Sequence, residues 1–143
     1  MTYRYIEDEA ISDIAFEALG KDLPEVFRSA GDAVMNVMID NLEAVKPLET
    51  RQIELENEML DLLLLDLLQN LIYYKDAEQL LLRVDELEIS KSGETWRLRG
   101  LLKGERLDAA RHHQRVDVKA VTLHNFTLGQ VNGGWRAHVI LDI

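Results

Sequence analysis

The sequence has 143 residues, 47% of them hydrophobic, no cysteine and a formal net charge of −10. Its length and apolar content predict one domain, residues 1–143. The lack of cysteine excludes disulfides, thiolate zinc sites and cysteine nucleophiles, and it is typical of a cytoplasmic protein. The acidic balance argues against direct binding to nucleic acid, which depends on Lys and Arg, and suits a cation, a basic partner or simply a well-solvated surface.

Two strands and a helix are predicted at the N-terminal end of the chain. Residues 3–7 and a segment ending at Gly20 alternate as strands do, and an acidic turn that ends at Asp13 joins them. Asp22 is a predicted N-cap for an amphipathic helix over residues 23–38, whose apolar side chains recur at helical spacing. The first residues carry neither the basic start nor the apolar core of a secretion signal, so none is expected.

A third strand and a very apolar helix occupy the middle of the chain. Residues 51–56 alternate as a strand, and Asn57 is a predicted cap for a helix over residues 59–75. Acidic and amide side chains interrupt the leucines of this helix, so a membrane span is not expected. Its apolar stripe extends almost all round, around Leu62 and Leu65 in particular. Such a helix is either buried on most sides, which is the favoured interpretation, or exposes a patch to a partner.

The last part of the chain predicts four strands in two hairpins. Residues 80–90 and 95–103 form the first hairpin, with a bulge expected near Asp85. Residues 116–143 form the second, which reverses at residues 132–134 and continues as a strand to the end of the chain. The order β-β-α-β-α-β-β-β-β has few helices and many hairpins. It predicts an α+β fold, a single domain of antiparallel β-sheets packed with two α-helices.

The sequence contains no recognisable catalytic arrangement. It has no P-loop, no Rossmann fingerprint, no Gly-x-Ser-x-Gly elbow and no helical His-x-x-x-His. No catalytic residue and no enzymatic activity are therefore predicted. His112 and His113 are expected to be a solvated loop pair, and His124 and His138 to be exposed neighbours on facing strands.

Acidic groups from the two ends of the chain are the candidate metal ligands. Asp142 stands beside the main-chain carboxylate of Ile143, and Asp13 ends the N-terminal acidic turn. Ca²⁺ and Mg²⁺ prefer such oxygen ligands, so these groups would form a divalent-cation site if the first and last strands are adjacent. An exposed charged chain end is the alternative. Lys119 would either contact a phosphate or pair with one of the two aspartates.

Several segments, by their order and spacing, resemble the archease family over nearly the whole chain. They are residues 13–16 (DIAF) with Gly20, residues 23–27 (LPEVF), the leucine-rich helix around Asp66, residues 118–124 (VKAVTLH) and residues 139–143 (VILDI). The resemblance implies a non-catalytic protein cofactor of RtcB-type RNA ligases, which act in tRNA splicing and RNA repair. Such a cofactor promotes guanylylation of the ligase and its repeated turnover.

The resemblance also implies which residues form the site. The family's site, described for Ca²⁺ and here expected to hold Ca²⁺, Mg²⁺ or another divalent cation, falls on Asp13, Asp142 and Ile143. The family's lysine falls on Lys119, and His124 closes the same motif on the side expected to face the partner. The ligase would hold the RNA, so the acidic charge of this chain is compatible with the role.

One departure from the family pattern and two other interpretations stay open. Ala10 stands where family members carry a histidine, so metal affinity or ligase activation is expected to be altered. A chaperone-like partner of an RNA-modifying enzyme, such as a tRNA methyltransferase, would use the apolar face around Leu62 and Leu65. A metal-dependent hydrolase would use Asp13 and Asp142 as ligands. The same leucine face permits a homo-oligomer.

Overall fold

The computed structural model describes residues 2–6 and 13–143. In these residues the elements follow one another in the predicted order, with a short 3-10 turn at Leu42–Ala44. They are β1 (Thr2–Ile6), β2 (Asp13–Gly20), α1 (Leu23–Met38), β3 (Glu49–Asn57), α2 (Leu60–Glu78), β4 (Leu80–Ser92), β5 (Thr95–Arg106), β6 (Ala120–Val131) and β7 (Gly134–Asp142). The predicted α+β class with antiparallel sheets and two helices is confirmed.

The strands of the described residues form two antiparallel sheets. One has the order β1-β2-β7-β6 and the other the order β3-β5-β4. Helix α1 contacts β1, β2 and β7 of the first sheet and β4 of the second, whereas α2 contacts β6 of the first and all three strands of the second. The helices therefore form a layer between the sheets, and their apolar side chains build one continuous core. Most important for the site, β2 and β7 are neighbours in the middle of the four-stranded sheet.

Helix α2 is buried on most of its circumference, as its composition favours. Its buried side chains are Leu63, Leu64, Leu65, Leu67, Leu68, Leu71 and Ile72. Leu62 is half-buried and also packs against the core. The apolar face around Leu62 and Leu65 is therefore occupied by the protein's own core. None of the described helices is long and apolar enough to cross a bilayer.

The junction between β2 and α1 is fixed by a cap and a close approach. The carboxylate of Asp22 accepts a hydrogen bond of 2.9 Å from the main-chain N–H of Glu25, and Glu25 Oε1 accepts one of 3.0 Å from the N–H of Lys21. These bonds satisfy main-chain donors at the start of the helix. A Cβ atom on Gly20 would lie 2.3 Å from the backbone nitrogen of Val26, so only glycine allows this contact.

The second hairpin is shorter than predicted. Strand β6 begins at Ala120, so residues 116–119 precede it. The N–H groups of Arg115 and Val116 instead bond to the carbonyl oxygens of Met38 and Val37, at 2.8 and 3.2 Å. Carbonyls in the last turn of a helix have no partner within the helix. The end of α1 thus binds a segment whose alternating sequence predicts a strand.

Two strands contain bulges, of which only the first was predicted. The bulge expected near Asp85 is present, since the pairing of β4 with β5 shifts between Val84 and Glu86. A second bulge, which we call the β6 bulge, comprises residues 123–126 and lies between the pairs Thr122↔Ile140 and Thr127↔His138. There the alternation of apolar and polar side chains breaks only at His124-Asn125, which does not reveal how many residues the bulge contains.

Candidate metal centre at the end of the four-stranded sheet

The two ends of the chain meet at one edge of the four-stranded sheet. Strands β2 and β7 are antiparallel, and their register pairs Asp13 directly with Asp142. Residues that face each other in an antiparallel pair lie on the same side of the sheet, with their Cβ atoms about 5 Å apart. The geometric requirement for a site built from both ends of the chain is thus met.

The terminal carboxylate is held next to this pair. Ile143 follows Asp142, and its side chain is half-buried against the hydrophobic core. Because successive side chains point to opposite faces of a strand, the packing of Ile143 leaves Asp142 on the other face. On the far side of β7, Asp142 faces Ala120, and its carbonyl oxygen accepts a 2.8 Å hydrogen bond from the N–H of Lys119.

The three groups considered as metal ligands at this sheet end, Asp13, Asp142 and the main-chain carboxylate of Ile143, are all negative. Within residues 2–6 and 13–143, neither Asp13 nor Asp142 forms an ion pair. Like charges directly opposite each other destabilise a sheet, and the main-chain carboxylate of Ile143 adds a third anion. A divalent cation would relieve this repulsion, so the residues fit the implied metal.

The donor set suits a hard cation. Two aspartates and a terminal carboxylate supply up to six oxygen atoms, and Ca²⁺ takes six to eight oxygens whereas Mg²⁺ takes six and keeps several waters. No three His, Asp or Glu side chains in the described part of the chain are grouped to hold a metal. A site here would therefore depend on the main-chain carboxylate of Ile143 together with Asp13 and Asp142.

Lys119 reaches this sheet end through its backbone. Its N–H bonds to Asp142, whereas its ammonium group forms no ion pair with any described residue. The side chain is exposed. The structure therefore contains no ion pair of Lys119 with Asp13 or Asp142, which was one of the two roles predicted for this lysine.

The prediction that His124 and His138 are neighbours across facing strands is wrong, because the two residues are not paired in the sheet. Thr127, not His124, faces His138, because the β6 bulge shifts the strand. His138 Nδ1 lies 2.8 Å from the carbonyl oxygen of Asn125, and Asn125 Nδ2 lies 3.4 Å from His124 Nε2. Asn125, at φ 55°, thus stands between the two rings. His124 is exposed in the bulge, four residues along β6 from Ala120, which faces Asp142.

The expectation of a solvated His112–His113 pair is also wrong, for His112. The ring of His112 is buried, its Nδ1 accepts a 2.8 Å hydrogen bond from the N–H of Asp108, and its Nε2 lies 2.9 Å from Oε2 of the buried Glu105. His113 is exposed, 3.6 Å from a carboxylate oxygen of Asp40. Glu105 falls in a stretch whose polar sequence indicates an exposed connection, and no sequence signal marks it as buried.

Several hydrogen bonds keep Glu105 ionised. Burial by itself raises the pKa of this carboxyl group, but bonds from the N–H of Lys46, from Arg111 and from His112 outweigh burial and lower the pKa from 4.5 to about 2. This cluster ties the connection between β5 and β6 to the loop after α1. It is separate from the two sheet-end aspartates.

The remaining parts of the N-terminal motif lie outside the described residues. They are the predicted strand end at Glu7 and the acidic turn over residues 8–12, including Ala10, for which the resemblance implies a histidine in relatives.

Comparison with known proteins decides the family. The Archease protein family (MTH1598/TM1083) matches residues 3–143. The chain belongs to the archease family. Protein archease of Pyrococcus abyssi is 32% identical over 141 residues, which are 98% of this chain and 99% of that protein. Protein archease of Methanosarcina mazei is 34% identical over 144 residues, with 99% of this chain and 95% of that protein covered.

Two solved archease-family structures share the fold. The solution structure of Methanobacterium thermoautotrophicum protein 1598 superimposes with a TM-score of 0.84 at 32% identity, over 99% of this chain and 98% of that one. A crystal structure from Thermotoga maritima, described as an archease and possible chaperone, gives a TM-score of 0.65 at 16% identity, over 96% of each chain. The second likeness concerns the fold alone.

Proposed function

We propose that this chain is a non-catalytic activator of an RtcB-type RNA ligase, promoting guanylylation of the ligase and its repeated turnover. Membership of the archease family supports this role. The sequence motifs that carry the resemblance also support it, since residues 13–16 lie on β2 and residues 139–142 on β7, the two strands whose ends meet. The activator would act by binding the ligase and need not contact the RNA.

The observation that carries the proposed site is the pairing of Asp13 with Asp142 beside the terminal carboxylate. With a divalent cation bound, these groups would form a rigid, partly neutralised end of the sheet. The cation supplies positive charge there, and this chain's own residues hold it and fix its position relative to the partner. Asp13, Asp142 and the carboxylate of Ile143 are the proposed ligands.

Lys119 and His124 are the proposed partner-facing groups. Lys119 is exposed, its main-chain N–H bonds to Asp142, and its ammonium group forms no ion pair in the described part of the chain. An ammonium group in this state suits a phosphate or a carboxylate of the partner. His124 is exposed in the bulge of β6, the edge strand that begins immediately after Lys119. The net charge of −10 favours approach to a basic surface of the ligase.

The test is GTP-dependent labelling of a cognate RtcB-type ligase with and without this chain. Stimulation by the wild-type protein is expected, with loss of most of it in Asp142→Ala. Glu88→Gln, which removes one exposed carboxylate from β4, is the matched control and should stimulate as the wild type does. No stimulation by the wild type would reject the ligase role. Full stimulation by Asp142→Ala would separate activation from the cation site.

A chaperone-like partner of an RNA-modifying enzyme is the second candidate, favoured by the description of the T. maritima relative as a possible chaperone. The surface first expected to serve this role is the leucine face of α2, and it is buried in this protein. A chaperone-like activity would have to use another surface. Light scattering of an aggregating methyltransferase distinguishes the two, because a ligase-specific cofactor leaves the scattering unchanged.

A further inference from the structure

One hydroxyl group next to the sheet-end aspartates has no hydrogen-bond partner. Thr122 Oγ1 is buried and unbonded within the part of the chain that the structure describes, where the only comparable side-chain atom is Nε of Arg28. The guanidinium of Arg28 has a second nitrogen that donates a 3.0 Å bond to the carbonyl oxygen of Asp85. Thr122 has only its hydroxyl. A buried hydroxyl without a protein partner is costly, and such groups commonly bond to an ordered water or ion.

The register of the sheet places Thr122 on the face of the two aspartates. Ala120 faces Asp142, and Thr122, two residues further along β6, faces Ile140. Residues two apart on a strand share a face, so Thr122 and Asp142 are diagonal neighbours. Such neighbours have Cα atoms about 7–8 Å apart with their Cβ atoms somewhat closer, so one water molecule can bridge the two side chains.

Among the described residues, the other neighbours on this face form no hydrogen bond with the Thr122 hydroxyl. Along its row lie Ile140 and Ala15, which are apolar and buried, with 2% and 0% of their surface exposed. The diagonal neighbour away from the site is His138, whose Nδ1 bonds to the carbonyl of Asn125. Among the described neighbours on this face, the carboxylates of Asp142 and Asp13 are therefore the acceptors to which the Thr122 hydroxyl could donate, directly or through a water.

We propose that Thr122 is a positioning residue of the cation site: its hydroxyl hydrogen-bonds to a water on the bound cation or to the carboxylate of Asp142. This inference rests on the proposed cation site. Groups that orient metal ligands in this way commonly change metal affinity by 10–100-fold when removed. The β6 bulge begins immediately after Thr122, and a bulge next to a site re-aims side chains.

The test compares Thr122→Val, which has nearly the same shape without the hydroxyl, with Thr122→Ser, which keeps it. Calcium affinity is measured by isothermal titration calorimetry, and melting is followed by circular dichroism in EDTA. For Thr122→Val we expect calcium affinity at least roughly 10-fold weaker and a melting temperature in EDTA equal to or above that of the wild type, because an unsatisfied buried hydroxyl is removed. Thr122→Ser should bind calcium within about 3-fold of the wild type, and so should Thr127→Val, an exposed control beyond the bulge.

The two variants separate positioning from packing. Unchanged calcium affinity in Thr122→Val overturns the inference, and so does equal loss of affinity in Thr122→Val and Thr122→Ser together with lower melting in EDTA. A wild-type protein that binds neither calcium nor magnesium rejects the cation site itself. A wild-type protein that binds calcium, with Thr122→Val binding equally well, rejects only the role of Thr122.

Discussion

Because two carboxylates face each other at the sheet end, removing one of them should raise the stability of the protein without calcium and lower it, relative to the wild type, with calcium. The substitution Asp142→Asn keeps the size of the side chain and removes one charge from the pair with Asp13. At about 5 Å, two unit charges repel by about 1 kcal/mol in water-like surroundings and by about 3 kcal/mol at an effective dielectric constant near 20. Both aspartates are half-exposed, so the lower part of this range applies.

In EDTA, Asp142→Asn is therefore expected to be more stable than the wild type by about 1 kcal/mol, which corresponds to about 2–4 °C in melting temperature for a chain of this size. With calcium at about 100 times its dissociation constant, the wild type gains about 2.7 kcal/mol and Asp142→Asn gains little. The order of the two melting temperatures should then reverse.

The assay is thermal unfolding followed by circular dichroism, in EDTA and in a calcium series, for the wild type, Asp142→Asn and Glu88→Gln. Glu88 is an exposed carboxylate of β4, so its substitution removes the same charge elsewhere and should preserve the calcium effect. If Asp142→Asn is less stable than the wild type in EDTA, the aspartates do not repel each other as the register implies. If calcium stabilises both proteins equally, the site lies elsewhere.

Two further predictions concern Lys119 and the buried Glu105. Lys119→Ala should reduce stimulation of ligase labelling while changing the free energy of unfolding by less than about 0.5 kcal/mol, because the ammonium group has no ion pair in the described residues. Lys119→Arg, the control, should retain most of the stimulation. A large loss of stability in Lys119→Ala would show an internal role instead. Glu105→Gln should destabilise the protein by about 3 kcal/mol at pH 7, measured by urea unfolding, because it breaks a buried charged cluster. Since the pKa of Glu105 is lowered from 4.5 to about 2 in the folded protein, its stabilisation is present above pH 4.5 and is lost as the pH falls towards 2. The gap between Glu105→Gln and the wild type should narrow over that range, and a gap that stays constant would contradict the ionised state.

The fold was largely predictable because its elements have strong local signals. Helix α1 combines a capping aspartate with a clear apolar stripe, and the central leucines of α2 are too numerous for a surface helix. The hairpin turn that connects β4 with β5 has Gly93 at φ 63°, where glycine is favoured. These features depend on neighbouring residues in the sequence, so they can be read without knowing the tertiary contacts.

The residues of the proposed site could be named from the sequence, but the pairing that brings two of them together could not. Periodicity indicates that Asp13 and Asp142 lie on strands, yet only the pairing of β2 with β7 makes them opposite residues. A sheet with the order β1-β2-β7-β6 joins segments more than a hundred residues apart, and no local pattern encodes that choice. The resemblance to the archease family grouped Asp13, Asp142 and Ile143 into one proposed site, which periodicity alone could not do.

The errors have the same physical origin. Residues 116–119 alternate like a strand but precede β6, because the adjacent segment bonds to carbonyls at the end of α1. His112 is polar and lies in a polar stretch, yet it is buried by its bond to Glu105. In both cases the hydrogen-bond partner lies outside the local segment. The end of α1 binds the residues before β6, and Glu105 binds His112.

A crystal structure of the protein grown with Ca²⁺ tests the cation site most directly. We expect one ion at 2.3–2.6 Å from oxygens of Asp13, Asp142 and the main-chain carboxylate of Ile143, distances typical of calcium. Crystals in which saturating calcium leaves these three groups without a common ion, or binds at other residues, would contradict the site that the meeting of the two chain ends supports.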